Sequence, residues 1–351
     1  MKEQQFGELS VVCMRGCEEI GKKVDYYLKD WHGMSQDDTY LVNVSCPRFG
    51  TGEAKALIKQ SMRGQDVYII CDVFNYSVTY KMYGMTVPMS PDDHYADLKR
   101  VIAAIAGKAR RITVIMPMLY EGRQHRRTAR ESLDCAVALQ ELEAMGVENI
   151  ITFDAHDPRV CNAVPMMGFD NLMPSYQVMK SMFKNIPDLQ VDRDHLMVIS
   201  PDEGALNRNM YYAVNMGVEM GMFYKRRDYT RVVNGRNPIV AHEYMGDSVE
   251  GKDVFVADDI IASGESMLEV ARELKKRGAK RIIANATDIA ITVPTTAEAA
   301  GAGAAMLAAK GVGIELTPLK PAKTYTPDGM AKAYAQHYDR YRTVEKKLFE
   351  V

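Results

Sequence analysis

Short apolar runs alternate along the chain with stretches in which apolar residues recur every three or four positions. "LSVVCM" is followed by "EEIGKKVDYYLKDW". "DVYIICDV" precedes "DDHYADLKRVIAAIAGKA", and "RITVIMPML" precedes "RESLDCAVALQELEAMG". "NIITFDAH", "HLMVISPD", "MGMFYKRR", "DVFVADDI" and "RIIANATDI" are further strand candidates, and "MLEVARELKKRG" is a further helix. Strands of about five residues, each followed by a helix and each ending in polar side chains, predict an α/β fold with parallel sheets. In such sheets ligands bind beyond the carboxyl ends of the strands. The acidic and basic clusters of this chain fall there.

The stretch "VFVADDIIASGESM", residues 254–267, is the sharpest case. A buried strand delivers Asp258 and Asp259. A turn with Ser263, Gly264 and Ser266 then opens an amphipathic helix. Backbone N–H groups at a helix N-terminus suit a phosphate. The carboxylates suit ribose hydroxyls, or a divalent cation that carries phosphates. A plain helix cap with acidic residues favouring the dipole would use the same residue types. The acid pair and the hydroxyl/glycine turn at one strand–helix junction favour a binding site. "SMRGQDVYIICD" (61–72) and "DSVEGKDVFVADD" (247–259) also share a Gly-x-Asp-Val-aromatic-apolar pattern, each with an acid at the strand end. Two related halves would leave that echo.

With 351 residues, 47% hydrophobic and 26% charged, the chain has material for two cores. We divide it at 1–168, 169–320 and a helical tail at 321–351, with the boundary falling near "MMGFDNLMPSYQ". The net charge of −2 implies no general attraction to nucleic acid or to an anionic membrane. A polyanion site must therefore use local lysines and arginines. The six cysteines form no CxxC pair and read as free thiols of a reducing compartment. No apolar run approaches the roughly 18–20 residues that span a bilayer, so the expected location is the cytoplasm. Residues 295–315 are rich in Ala and Gly, as in a small-residue helix packed on a sheet or a loosely specified segment.

The acid pair and its turn resemble the phosphoribosyl-diphosphate motif of type I phosphoribosyltransferase folds. Among these, the chain resembles the ribose-phosphate pyrophosphokinases over roughly residues 48–288. The resemblance implies two phosphoribosyltransferase-like domains, each a mostly parallel sheet flanked by helices. It implies transfer of the β,γ-diphosphate of ATP to the 1-hydroxyl of ribose 5-phosphate, with Mg²⁺. "RFGTGE" is similar to the family's adenine loop, which crosses to a neighbouring subunit; Phe49 would stack and Glu53 would hydrogen-bond. "YEGRQHRR" is similar to the family's Tyr-x-x-Arg-Gln loop, which places Arg123 and Gln124 on ATP. "FDAHDPR" resembles the Asp-Leu-His signature and makes His156 a metal ligand. "SPDEG" resembles Ser-Pro-Asp-x-Gly, so Asp202 would hold ribose oxygens through a metal. "KRR" resembles the root of the family's catalytic loop, and Lys225 and Arg227 would place positive charge on the transferring group. Residues 228–243, with Gly, Asn and Pro, would form a lid. The shared ATP site implies a homo-oligomer built on dimers, of which a hexamer is one form.

Departures from the family's pattern are equally specific. Ala262 stands where the family has a third acid, and Glu265 lies within the phosphate loop. Arg159 and the residues after it differ from the stretch that helps form a regulatory site in many members. Other readings are the same chemistry on a different 5-substituted ribose, or a non-catalytic regulatory homologue.

Overall fold

A computed structural model describes residues 7–35, 37–227, 239–261 and 264–286. The expected Ala/Gly-rich segment and C-terminal helix lie outside the described residues, as do Ala262, Ser263 and most of the expected lid.

The first half opens with β1 (Leu9–Cys13), α1 (Glu18–His32), β2 (Leu41–Val42), β3 (Val44–Ser45) and β4 (Leu57–Ile58). Then come β5 (Asp66–Ile70), the hairpin β6 (Thr79–Met82) and β7 (Met85–Pro88), and α2 (Pro91–Ile105). It closes with β8 (Arg111–Ile115), α3 (Asp134–Ala144), β9 (Asn149–Phe153), a 3-10 turn at Pro158–Ala163 and β10 (Gly168–Leu172). The second half holds α4 (Ser175–Asn185), β11 (Leu196–Ser200), α5 (Leu206–Met216), β12 (Glu219–Arg227), β13 (Ile239–Met245), β14 (Asp253–Asp258), α6 (Glu265–Lys276) and β15 (Arg281–Ala286).

These strands form two main sheets. The first runs β10-β9-β8-β5-β1-β2 and is parallel throughout. The second runs β13-β12-β11-β14-β15 and is parallel except for the β12–β13 pair. The expected division at 168/169 falls at the first residue of β10, a strand of the first sheet. The parallel order explains the near-continuous apolar runs, because both faces of each central strand are covered. Val67, Ile69 and Ile70 of β5 and all residues of β11 are buried. All six cysteines are free; Cys17, Cys46, Cys71 and Cys135 are buried.

Two features depart from the sequence reading. The hairpin β6–β7 intervenes between β5 and α2, where no element is expected; Tyr83 and Gly84, both at positive φ, make its two-residue turn. The segment expected as a lid up to Glu243 is strand from Ile239 onward, where "IVAHEYM" pairs antiparallel with β12. Its β-branched start and a ready strand edge favour pairing over a loop.

The echo in the sequence has a physical counterpart. In the first sheet Leu9, Asp66 and Arg111 stand in register across β1, β5 and β8. In the second, Leu196, Asp253 and Arg281 stand in register across β11, β14 and β15. Each aspartate accepts a two-point hydrogen bond from its arginine. Arg111 Nε lies 2.8 Å from Asp66 Oδ1, and Arg281 Nε lies 3.1 Å from Asp253 Oδ1. A carboxylate at the start of a central buried strand requires such a partner. The Arg281 side chain also meets the exposed Asp188 at 3.0 Å. Asp253 is buried, so Asp253→Ala is expected to cost about 3 kcal/mol in chemical denaturation. Asp188→Ala, at an exposed site, should leave the denaturation midpoint close to that of the parent.

Candidate active site

The carboxyl ends of the two sheets face one cleft of about 1370 Å³. That exceeds the roughly 300–1,000 Å³ typical of a single small ligand, so two substrates fit. Arg123, Arg126 and Arg159 line it from the first half, and Asp202, Asp258 and Asp259 from the second.

While β14 stays paired with β15 as far as Asp258–Ala286, its ladder with β11 stops at Val198–Phe255. Beyond that point Asn209 of α5 replaces the missing strand. Its amide donates to Ala257 O at 2.7 Å and accepts from Ala257 N–H at 3.0 Å. With its neighbour's backbone satisfied, the chain carries Asp258 and Asp259 into the cleft. Their charge meets Arg208, also from α5, whose guanidinium is largely buried. Arg208 Nε donates to Asp154 at the end of β9, and its Nη1 lies 3.6 Å from Asp258 and 3.9 Å from Asp259. One cation thus joins the strand ends of both sheets.

His156 follows on the first-half loop. Its Nδ1 lies 2.5 Å from Asp259 Oδ2. That hydrogen bond raises the imidazole's pKa against the opposing pull of burial. For the carboxylates, burial is the largest influence and pushes both upward. Asp258 stays raised because Asp259 and Asp202 add negative charge beside it. Asp259 ends well below the usual range, because His156, Asp258 and Arg208 favour its ionised form. The ring edge of His125 approaches His156 at a centroid distance of 5.3 Å. His125 Nδ1 also lies 3.0 Å from Asp157. Asp157 in turn grips Arg159, which holds its carboxyl far below the usual range.

Gly264, at φ 76°, caps the start of α6, and among the described residues no side-chain cap hydrogen bond is present there. The first N–H groups of a helix lack intrahelical partners and point at incoming anions. Gly264 and Ser266 both line the cleft. Asp202 lies on the loop between β11 and α5, where its carboxylate accepts from Ala205 N–H at 3.2 Å.

The structure brings Arg123, His156, Asp202, Asp258, Asp259, Gly264 and Ser266 together at this cleft. Ser263 lies outside the described residues. Lys225 and Arg227 end β12, the strand next to β11; only their backbone is described. Gln124 is turned into its own loop, where Nε2 donates to Ser132 O at 2.8 Å. Phe49 and Glu53 lie on a tight turn outside the cleft lining, and Phe49 is 54% exposed. Sequence reasoning missed Asp154, Asn209, His125 and the seam role of Arg208. Their signal is spacing: Asp154 stands two residues before His156, and Arg208 and Asn209 sit on the helix after "SPDEG".

Similarity to known proteins now decides the family. Residues 9–146 match the N-terminal domain of ribose phosphate pyrophosphokinase, and residues 169–287 match the phosphoribosyl transferase domain. The ribose-phosphate pyrophosphokinase of Vibrio parahaemolyticus is 30% identical over 253 residues, covering 70% of this chain and 71% of that one. The chain belongs to the ribose-phosphate pyrophosphokinase family. The relative from Chlorobaculum tepidum is 29% identical over 288 residues, covering 82% of this chain and 78% of its own. The fold is that of phosphoribosylpyrophosphate synthetase from Mycobacterium smegmatis, with a TM-score of 0.61, 20% identity and 80% of each chain covered.

Asn209→Leu removes the partners of both the buried N–H and the buried C=O of Ala257. It is expected to lower stability by about 2–4 kcal/mol, read as a shift of the urea midpoint.

Proposed function

We propose that the chain transfers the β,γ-diphosphate of ATP to the 1-hydroxyl of ribose 5-phosphate, giving 5-phosphoribosyl 1-diphosphate and AMP. The observation that carries this reading is the opposition, across one cleft, of an arginine-lined wall and an acidic strand end beside an open helix N-terminus. A triphosphate suits the first wall. A phosphorylated sugar suits the second, with its hydroxyls on carboxylates and its phosphate on N–H groups.

In this reading Asp258 and Asp259 accept hydrogen bonds from the ribose hydroxyls. Gly264, Ser266 and Ser263 hold the 5-phosphate at the start of α6. Arg123 and Gln124 hold the nucleotide phosphates, and Phe49 and Glu53 serve the adenine of a neighbouring subunit in a homo-oligomer. The 1-hydroxyl oxygen bonds to the β-phosphorus as the bond from that phosphorus to the AMP oxygen breaks; AMP leaves as its phosphate anion and the hydroxyl proton passes to water. Lys225 and Arg227, at the end of β12, supply positive charge to the group in transit.

A divalent metal, taken here as Mg²⁺, fits the donor set. Among the described residues no three of His, Cys, Asp and Glu converge into a metal cage. Mg²⁺ commonly relies on one or two carboxylates, with water and substrate phosphates completing its shell. Asp202 and His156 are the residues that would hold it. The His156 Nδ1–Asp259 bond is the orienting contact usual for a ligating imidazole, and it leaves Nε2 as the atom that would ligate. When bound, the metal neutralises phosphate charge. No described helix is long and apolar enough to cross a membrane. Four buried free thiols agree with a cytoplasmic enzyme.

The test is AMP formation from ATP, Mg²⁺ and ribose 5-phosphate. The parent protein is expected to form AMP, and Lys225→Ala to lower kcat about 100-fold or more. No AMP from the parent would contradict the reading.

A further inference from the structure

The turn at residues 48–53 is braced from two sides. Internally, Phe49 N–H donates to Glu53 O at 2.7 Å, and Gly52 N–H donates to Phe49 O at 2.9 Å. Thr51 Oγ1 reaches Glu53 Oε2 at 2.9 Å. Arg48 anchors the turn to α2 through Asp97 at 2.9 Å. These contacts set the turn's shape, and the hairpin β6–β7 sets where it stands.

The hairpin makes three contacts with the turn. Tyr83 N–H, at the hairpin tip, donates to Gly50 O at 2.8 Å. The Arg48 guanidinium lies over the Tyr80 ring at 4.7 Å. Met82 lies against Gly52, where a Cβ would come within 3.0 Å of its sulfur and 3.8 Å of Tyr80 Cε2. Gly52 adopts φ +95°, so close approach and backbone shape both call for glycine there. Tyr80 Oη donates to Asp93 at 3.4 Å, and Asp93 belongs to the capping box of α2. The hairpin is therefore tied through Tyr80 to the start of α2 and at its tip to the turn. Phe49, between the anchored Arg48 and the held Gly50, stays exposed, and so does Glu53.

We propose that the β6–β7 hairpin is a positioning element for nucleotide binding, with Tyr80, Met82 and the Tyr83 N–H holding the turn so that Phe49 and Glu53 face the adenine. This rests on the assignment of that turn to the nucleotide. Tyr80 and Met82 act through the turn and touch no substrate. Pre-ordering a binding turn lowers the cost of ligand capture and leaves the chemical step alone.

Steady-state kinetics on the full-length enzyme test it, with Phe49→Ala as the reference. Tyr80→Ala is expected to raise the KM for ATP about fivefold to tenfold, with kcat and the KM for ribose 5-phosphate within about twofold of the parent. Tyr80→Phe keeps the ring under Arg48 and should restore the parent KM. Met82→Ala leaves the Tyr80 contacts with Arg48 and Asp93 in place, so it should fold even where Tyr80→Ala does not; it is expected to raise the KM for ATP about threefold. A raised KM in Phe49→Ala with parent values in both hairpin variants would overturn the proposal and leave the nucleotide assignment standing. Parent behaviour in Phe49→Ala would overturn that assignment, and the proposal with it. Equal changes in kcat and in both KM values for the hairpin variants would show a general structural role and also overturn it.

Discussion

A buried arginine at the seam between the sheets is the constraint on which the site depends. Removing a guanidinium from water is costly unless carboxylates surround it. Arg208 finds Asp154 from β9, and Asp258 and Asp259 from the end of β14. The same contact restrains three acids that would otherwise repel one another. It also ties the first-half loop that carries His156 to the acidic pair, and the His156–Asp259 bond closes that link. Asn209, one residue further along α5, fixes the backbone from which the pair projects. One helix thus supplies both the charge and the backbone partners of the acidic strand end.

The two halves share a scaffold and diverge where it meets the ligand. Asp66 and Asp253 begin matching strands with matching arginine partners, and Asp72 and Asp259 fall at matching positions beyond them. After β14 the chain turns into a helix N-terminus with Gly264 at its cap and, among the described residues, no side-chain cap hydrogen bond. After β5 the chain closes on itself. Asp72 accepts from Phe74 N–H at 3.1 Å, Asn75 accepts from Ser77 N–H and Oγ, and His94 holds Asn75 O at 2.9 Å. The first half has therefore filled, with its own side chains, the position that corresponds to the proposed phosphate site of the second half. The difference agrees with sugar-phosphate binding on the second half alone.

Much of the fold was legible because parallel strands buried on both faces write continuous apolar runs, as in "DVYII", "LMVIS" and "DVFVAD". The cleft residues were legible where strand ends carry charge beside a turn, which is why Asp258, Asp259, Asp202 and His156 emerged together. Two kinds of feature escaped. The hairpin β6–β7 has strands of four residues each, half-exposed and too short for their alternation to stand out, and its contacts with residues 48–52 are distant in sequence. Asn209 and Arg208 serve groups about fifty residues away in sequence, so their roles depend on the assembled sheets. Gln124 shows the opposite case: its residue type suits a phosphate, yet its amide closes its own loop.

The central claim is that the cleft moves two phosphates as one unit onto a phosphorylated sugar. Phosphorus NMR of the reaction of ATP with ribose 5-phosphate, Mg²⁺ and the full-length protein tests it most directly. The account predicts loss of the β and γ resonances of ATP, appearance of AMP, and a coupled diphosphate pair attached to the sugar. Release of ADP with a single phosphate on the sugar, or free pyrophosphate with unmodified ribose 5-phosphate, would contradict it.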